Sequence, residues 1–131
     1  MNSTTYRTLP DSEADTMKMA VGGDVGMTTQ GIKLTDHLVQ FDPDVILLGG
    51  DIAYDNAIRT CYYSWDNFYR MFEDVNRKLN RLVPIVLAIG NHDVGFDALA
   101  TVPVSKHQDK IPFYFAYNVQ HTTSTGRIPQ P

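Results

Sequence analysis

Five residues of this chain have the types and spacing to do metal-assisted chemistry: Asp24, Asp51, Tyr54, Asn91 and His92. They sit in three glycine-led motifs, Gly22-Gly23-Asp24-Val25-Gly26, Gly49-Gly50-Asp51-Ile52-Ala53-Tyr54-Asp55 and Gly90-Asn91-His92-Asp93. Hard cations take oxygen ligands, and amide or imidazole groups can complete the shell. A carboxylate such as Asp51, between two flanking ligands, is suited to bridge two metal ions held roughly 3.5–4 Å apart. Such a pair lowers the pKa of a shared water to near 7 and clamps both attacking and leaving oxygens. His92, beside Asn91, could donate a proton, hold a phosphate oxygen, or simply orient its neighbour. By residue type alone, Asp24 could equally close a turn and Tyr54 could pack over a sheet. Three such motifs in order favour a metal site.

Such motifs need strands to carry them. Apolar runs precede all three: Met19-Ala20-Val21, Val45-Ile46-Leu47-Leu48 and Pro84-Ile85-Val86-Leu87-Ala88-Ile89. Short apolar runs bounded by turn formers read as buried parallel strands, the first over about 17–21. In open α/β sheets ligands bind beyond the carboxyl ends of strands, which is where the three motifs fall. Between the first two runs, Thr28 or Thr29 can cap a helix to about Gln40, with Ile32, Leu38 and Val39 facing inward. Phe41-Asp42-Pro43-Asp44 stops it. Between the second and third, Trp65, Phe68, Tyr69, Phe72, Val75, Leu79 and Leu82 recur at three- and four-residue steps. That stripe predicts a helix over about 64–81 whose apolar face covers the sheet. The order is β-α-β-α-β, and the fold class is α/β with a mostly parallel sheet and flanking helices. Beyond His92, residues 94–111 show no period and read as a long loop. Pro112-Phe113-Tyr114-Phe115-Ala116-Tyr117 reads as a strand, and 121–131 has a linker composition.

At 131 residues the chain is one domain at most, with 43% hydrophobic and 20% charged residues, an ordinary globular composition. A net charge of -4 argues against nucleic acid as the main partner. No apolar run approaches the ~18 residues that span a bilayer, so no membrane role is expected. The N-terminus lacks the basic and apolar regions of a signal peptide, and Asn2-Ser3-Thr4 is too short a glycosylation pattern to carry weight. Cys61, the only cysteine, has no partner within the chain and reads as a small buried hydrophobe. Asp55 and Asp93 read as turn and helix-start stabilisers, and His37 as a solvated residue on a helix face.

Gly23-Asp24-Val25-Gly26, Gly50-Asp51-Ile52-Ala53-Tyr54 and Gly90-Asn91-His92-Asp93 resemble the first three blocks of the calcineurin-like metallophosphoesterases, most closely the purple acid phosphatase branch. Most of that superfamily carries Asp-x-His in the first block, where this chain has Gly26. In the purple branch a tyrosine three residues after the bridging aspartate serves instead, and Tyr54 stands there. The resemblance implies that Asp24 and Tyr54 bind Fe3+, that Asp51 bridges, and that Asn91 binds a second divalent metal (Fe2+, Zn2+ or Mn2+). It gives His92 a catalytic role on the phosphate or leaving group. It also implies a small phosphate ester as substrate, a secreted or vacuolar/lysosomal location, and a four-layer sandwich of two packed sheets.

The family's later blocks, Val-x-x-His and Gly-His-x-His, supply three more metal-binding histidines. No Gly-His-x-His occurs here, and Val104-Ser105-Lys106-His107 lies too near Asn91 to be the fourth block. Tyr6-Arg7-Thr8-Leu9-Pro10 resembles the closing strand of an upstream β-sandwich domain. The expected organisation is a leading segment over 1–12 and the N-terminal part of a metallophosphoesterase domain over 13–131. With one sheet's worth of strands, an apolar face should lack its cover. The expected function is phosphate monoester hydrolysis, poorly active in this chain alone. The alternatives are a non-catalytic binding module, which would purify without iron, and a phosphodiester or nucleotide hydrolase.

Overall fold

The computed structural model describes residues 4–8, 10–12, 16–56, 58–94 and 113–118. Three short parallel strands, β1 (Met19–Gly22), β2 (Val45–Leu48) and β3 (Ile85–Leu87), lie in the order β1-β2-β3. Their register pairs Val21 with Leu47 and Leu47 with Val86, so apolar side chains form rows across the sheet. The first strand starts at Met19, two residues later than the expected span of about 17–21, and the third stops at Leu87.

Helix α1 (Thr29–Phe41) begins where Thr28, in an extended conformation, accepts a hydrogen bond from the Gly31 amide. It ends at Asp42, whose left-handed backbone returns its N–H to the Leu38 carbonyl. Its buried residues are Gly31 and Thr35, with Leu38 and Val39 half-buried, whereas Ile32 is 52% exposed. The helix is rotated from the predicted face because it approaches the loop after β1 through its smallest residues. A Cβ on Gly31 would stand 2.9 Å from the carbonyl oxygens of both Val25 and Gly26.

Helix α2 (Tyr63–Leu79) supplies more of the core than any other element described. Trp65, Phe68, Met71, Phe72 and Val75 are buried on one face, and the first four cluster with Ile46 and Leu48 of β2, Ile52, Ala53 and Val83. Met71 completes the stripe in place of Leu82, which lies beyond the helix and is 45% exposed. Asn80 stops the helix in a left-handed turn, so Arg81 swings inward rather than continuing it. Its Nη2 donates to Asp42 Oδ1 at 2.7 Å and to the Pro43 carbonyl at 2.6 Å. Arg7 closes the same corner on Asp42 and Asp44, and Tyr6 forms a parallel bridge with Leu82. The leading segment is therefore tied to the end of the sheet opposite the three motifs.

Helix α3 (Asn91–Val94) follows β3, and α4 (Tyr114–Tyr117) stands where a strand was expected. The aromatic run becomes a helical turn because Tyr114 is drawn into the core, fully buried against Trp65, with its hydroxyl donating to the Leu87 carbonyl. Tyr117, three residues on, stacks near Trp65 and Tyr69, and Asn118 bonds back to the Tyr114 carbonyl. That three- and four-residue spacing puts all three groups on one side of a helix. Of the predicted loop over 94–111, Val94 instead ends α3, and 95–111 lie outside the described residues, as do the tail over 121–131 and His107. Among the described residues, no helix is long and apolar enough to cross a membrane.

The two faces of the sheet differ. Ile46 and Leu48 are buried under α2, while Val21 is 75% and Val86 56% exposed on the row they share with Leu47. Among the described residues, nothing covers that second row.

Candidate metal centre

All three motifs emerge from the same end of the sheet. Gly49 N donates to the Gly22 carbonyl at 2.7 Å, Asp24 N to the Gly50 carbonyl at 3.1 Å, and Gly26 N to the Ile52 carbonyl at 3.1 Å. These bonds extend the β1–β2 pairing beyond the strands and hold Asp24 beside Asp51. Asp24, Asp51, Tyr54 and Asn56 all have left-handed backbones, with φ of 52, 51, 56 and 53 degrees. The other two such non-glycine residues described, Asp42 and Asn80, are helix C-caps. A bulky side chain such as Tyr54 is strained there, and strain of this kind persists where surrounding bonds over-determine the backbone.

The side chains converge in pairs. Tyr54 donates through its hydroxyl to Asp24 Oδ1 at 3.3 Å. Asp51 Oδ1 accepts the His92 backbone N–H at 2.9 Å. Gly90 is the residue that allows this, since a Cβ there would stand 2.1 Å from Asp51 Oδ1. The Tyr54 and His92 rings lie 4.5 Å apart at 33 degrees, joining the second motif to the third. Asn91 opens α3 and is exposed, one residue from the amide that holds Asp51.

Tyr54 also explains Gly26. Its ring covers the glycine so closely that a Cβ at 26 would meet Cδ2 at 3.3 Å and Cε2 at 3.4 Å. The space that a side chain in the first motif would need belongs to the tyrosine of the second.

Burial and the neighbouring charges of Asp24 and Asp51 push the Tyr54 phenol above its ordinary range. The same negative field favours a cation, whose arrival would reverse that effect on the phenol. The donor set of two carboxylates, a phenol and an amide is one that hard cations accept. Among the described residues, no group of three or more His, Cys, Asp or Glu is placed to hold a metal ion.

Asp93 and Asp55 do structural work, as their types suggested. Asp93 is fully buried and accepts the backbone N–H groups of Ile52 and Ala53 on Oδ1 and of Gly90 on Oδ2. Burial raises its carboxyl above the usual range, while the three amides pull it back down. It staples the second motif to the third. Asp55, also fully buried, accepts the indole N–H of Trp65. His37 is exposed and Cys61 half-buried.

Residue-type reasoning overlooked Asn56. Its side-chain Oδ1 lies 2.7 Å from His92 Nδ1, its Nδ2 donates to the Tyr54 carbonyl at 3.1 Å, and its backbone N–H donates to the His92 carbonyl at 3.0 Å. The available signal was an asparagine two residues after Tyr54, in a loop needing left-handed backbone, which asparagine tolerates.

The calcineurin-like phosphoesterase profile matches residues 17–127. Similar proteins from Arabidopsis thaliana include purple acid phosphatase 15, 30% identical over 71% of this chain and 21% of its own length. Purple acid phosphatase 23 is 24% identical over 84% of the chain and 30% of its own length. Purple acid phosphatase 21 is 32% identical over 84% of the chain and 27% of its own length. The chain therefore spans less than a third of each of these relatives. No solved structure gives a significant match.

Proposed function

The chain belongs to the calcineurin-like phosphoesterase family, and on that premise we propose that it hydrolyses phosphate monoesters at a binuclear metal centre. Asp24 and Tyr54 would hold Fe3+, Asp51 would bridge, and Asn91 would hold a second divalent metal, Fe2+, Zn2+ or Mn2+. The observation that carries this reading is the convergence of Asp24, Tyr54, Asp51 and His92 across the carboxyl ends of three adjacent parallel strands.

When bound, the metals supply an activated water and a clamp on the phosphoryl oxygens. The chain's own residues do the rest. The Asp51 carboxylate is aimed by the His92 amide, so its second oxygen is left to face a cation. Tyr54, held over Gly26, keeps its oxygen beside Asp24. His92 is fixed by the Tyr54 ring and gives a proton to the departing alkoxide or holds a phosphate oxygen.

We read residues 13–131 as the N-terminal part of the catalytic domain, and a secreted or vacuolar setting as the one that the resemblance favours. The four donors lack the three histidines of the later blocks, so weak metal retention and low turnover are expected of this chain by itself.

The test is to load the protein with iron and zinc and measure metal content, visible absorption and release of phosphate from an aryl monoester. With metal kept in excess, a tyrosinate band that is lost in Tyr54→Phe and slow hydrolysis that is abolished in Asp51→Asn are expected. Failure to take up metal, with no absorption, would overturn the reading in favour of a binding module. Faster turnover of a diester than of the monoester would move the substrate class.

A further inference from the structure

Asn56 grips His92 at both its backbone and its ring. The backbone N–H of Asn56 donates to the His92 carbonyl at 3.0 Å, and the amide side chain reaches the imidazole at 2.7 Å. Which end of that amide faces the ring follows from its other bond. Nδ2 donates to the Tyr54 carbonyl at 3.1 Å, so the oxygen is turned to His92. A carbonyl oxygen can only accept, and the imidazole Nδ1 must then be the donor. In the neutral ring only one nitrogen carries hydrogen, so Nε2 keeps the lone pair. The Tyr54 ring, 4.5 Å away, flanks the imidazole and limits its rotation.

We propose that Asn56 is the positioning residue for His92, locking its imidazole in the tautomer with hydrogen on Nδ1. On the phosphoester reading, with which this inference shares His92, Nε2 is then the nitrogen that takes up a proton from solvent and gives it to the departing alkoxide, which returns the ring to the neutral form with hydrogen on Nδ1. Asparagine suits the place on three counts. It adopts the left-handed backbone found here, at φ 53, more readily than most residues. It accepts from the ring. It also donates to Tyr54, which a carboxylate of the same shape cannot do. The loop carrying Tyr54 and the turn carrying Asn91 and His92 are thereby coupled through one side chain.

The test reads the ring nitrogens directly, in the full chain without added metal, by long-range proton–nitrogen NMR at a pH where His92 is neutral. Wild type should show Nδ1 in the protonated range and Nε2 in the bare range. Asn56→Ala should reverse or average the two, since a free imidazole favours hydrogen on Nε2. Asn56→Asp, which keeps the acceptor, should retain the wild-type pattern. A bare Nδ1 in wild type overturns the proposal, as does an Asn56→Ala spectrum unchanged at both nitrogens. Should Asn56→Ala fail to fold, the wild-type and Asn56→Asp spectra decide. In metal-loaded protein, Asn56→Ala should lower kcat by roughly ten- to a hundredfold with KM held. The loss should be larger on an alkyl phosphate, whose leaving group needs the proton, than on an aryl phosphate, and Asn56→Asp should restore most of it. Equal losses on both substrates would sink the catalytic part of the proposal. The expected spectra with no hydrolysis by wild type would support the positioning and count against the phosphoester reading instead.

Discussion

Gly26 carries two constraints at once, a left-handed backbone at φ +53 and a tyrosine ring within contact of any added Cβ. A left-handed backbone costs an L-residue about 1–2 kcal/mol, before the Tyr54 ring is displaced. Gly26→Ala should therefore lower the urea midpoint by that order and pull the phenol from Asp24. The Tyr54 fluorescence and the midpoint together check this, and an unchanged midpoint would show that the loop relaxes freely. The residue types Asp, Asn, His and Tyr are readable from the chain. That the Tyr54 ring lies on Gly26 is a contact between two motifs, which spacing does not contain.

At the scale of an element, α1 sets helix propensity against packing. Replacing a helical glycine by alanine ordinarily stabilises by about 1 kcal/mol. Gly31, however, lies 2.9 Å, measured from a built Cβ, from two backbone carbonyl oxygens of the Asp24 loop. Backbone cannot step aside as a flexible side chain can, so overpacking costs about 1–3 kcal/mol and reverses the sign. Gly31→Ala should destabilise in a thermal melt, and a raised melting point would contradict the packing. The amphipathic stripe of α2 was legible because period and burial agree over its whole length, with Trp65, Phe68, Phe72 and Val75 all in the core. The turn at Tyr114–Tyr117 was not, because alternating and helical readings of six aromatic-rich residues are equally good until Tyr114 finds its pocket beside Trp65.

At the scale of the whole molecule, two features set stability and solubility. The corner where the leading segment, the end of α1 and the end of α2 meet is held by Asp42, between Arg81 and Arg7. Hydrogen bonds from those guanidinium groups bring its carboxyl from 3.8 down to about 2. A depressed folded-state pKa means that the contribution is present above 3.8 and lost as pH falls through about 2. Asp42→Asn should thus be less stable than wild type at neutral pH, with the gap closing over that window in acid-titrated denaturant melts. The gap is expected to be modest, because the pair with Arg7 is solvent-exposed and screened. The second feature is the open face of the sheet, where Val21 and Val86 flank Leu47. Exposed apolar rows beside an unpaired edge strand promote association. Val21→Lys should reduce concentration-dependent association in sedimentation without lowering the melting point. Equal association in both proteins would place the sticky surface elsewhere.

The amino-acid sequence by itself determined the types of the candidate site residues, their order at three strand ends, the β-α-β-α-β alternation and the helix that covers the sheet. These are local properties: hydrophobic period, turn chemistry and residue type are carried by neighbours along the chain. Only the tertiary structure decided that Asn56 orients His92, that Asp93 staples the second motif to the third, and that α1 turns Gly31 rather than Ile32 inward. Those outcomes depend on contacts between residues far apart in sequence. Asn56 and His92 are 36 residues apart, and Ile52 and Asp93 are 41. Such pairings are fixed by the register of the parallel strands and by which backbones approach closely enough to exclude a Cβ, quantities that exist only once the chain is packed.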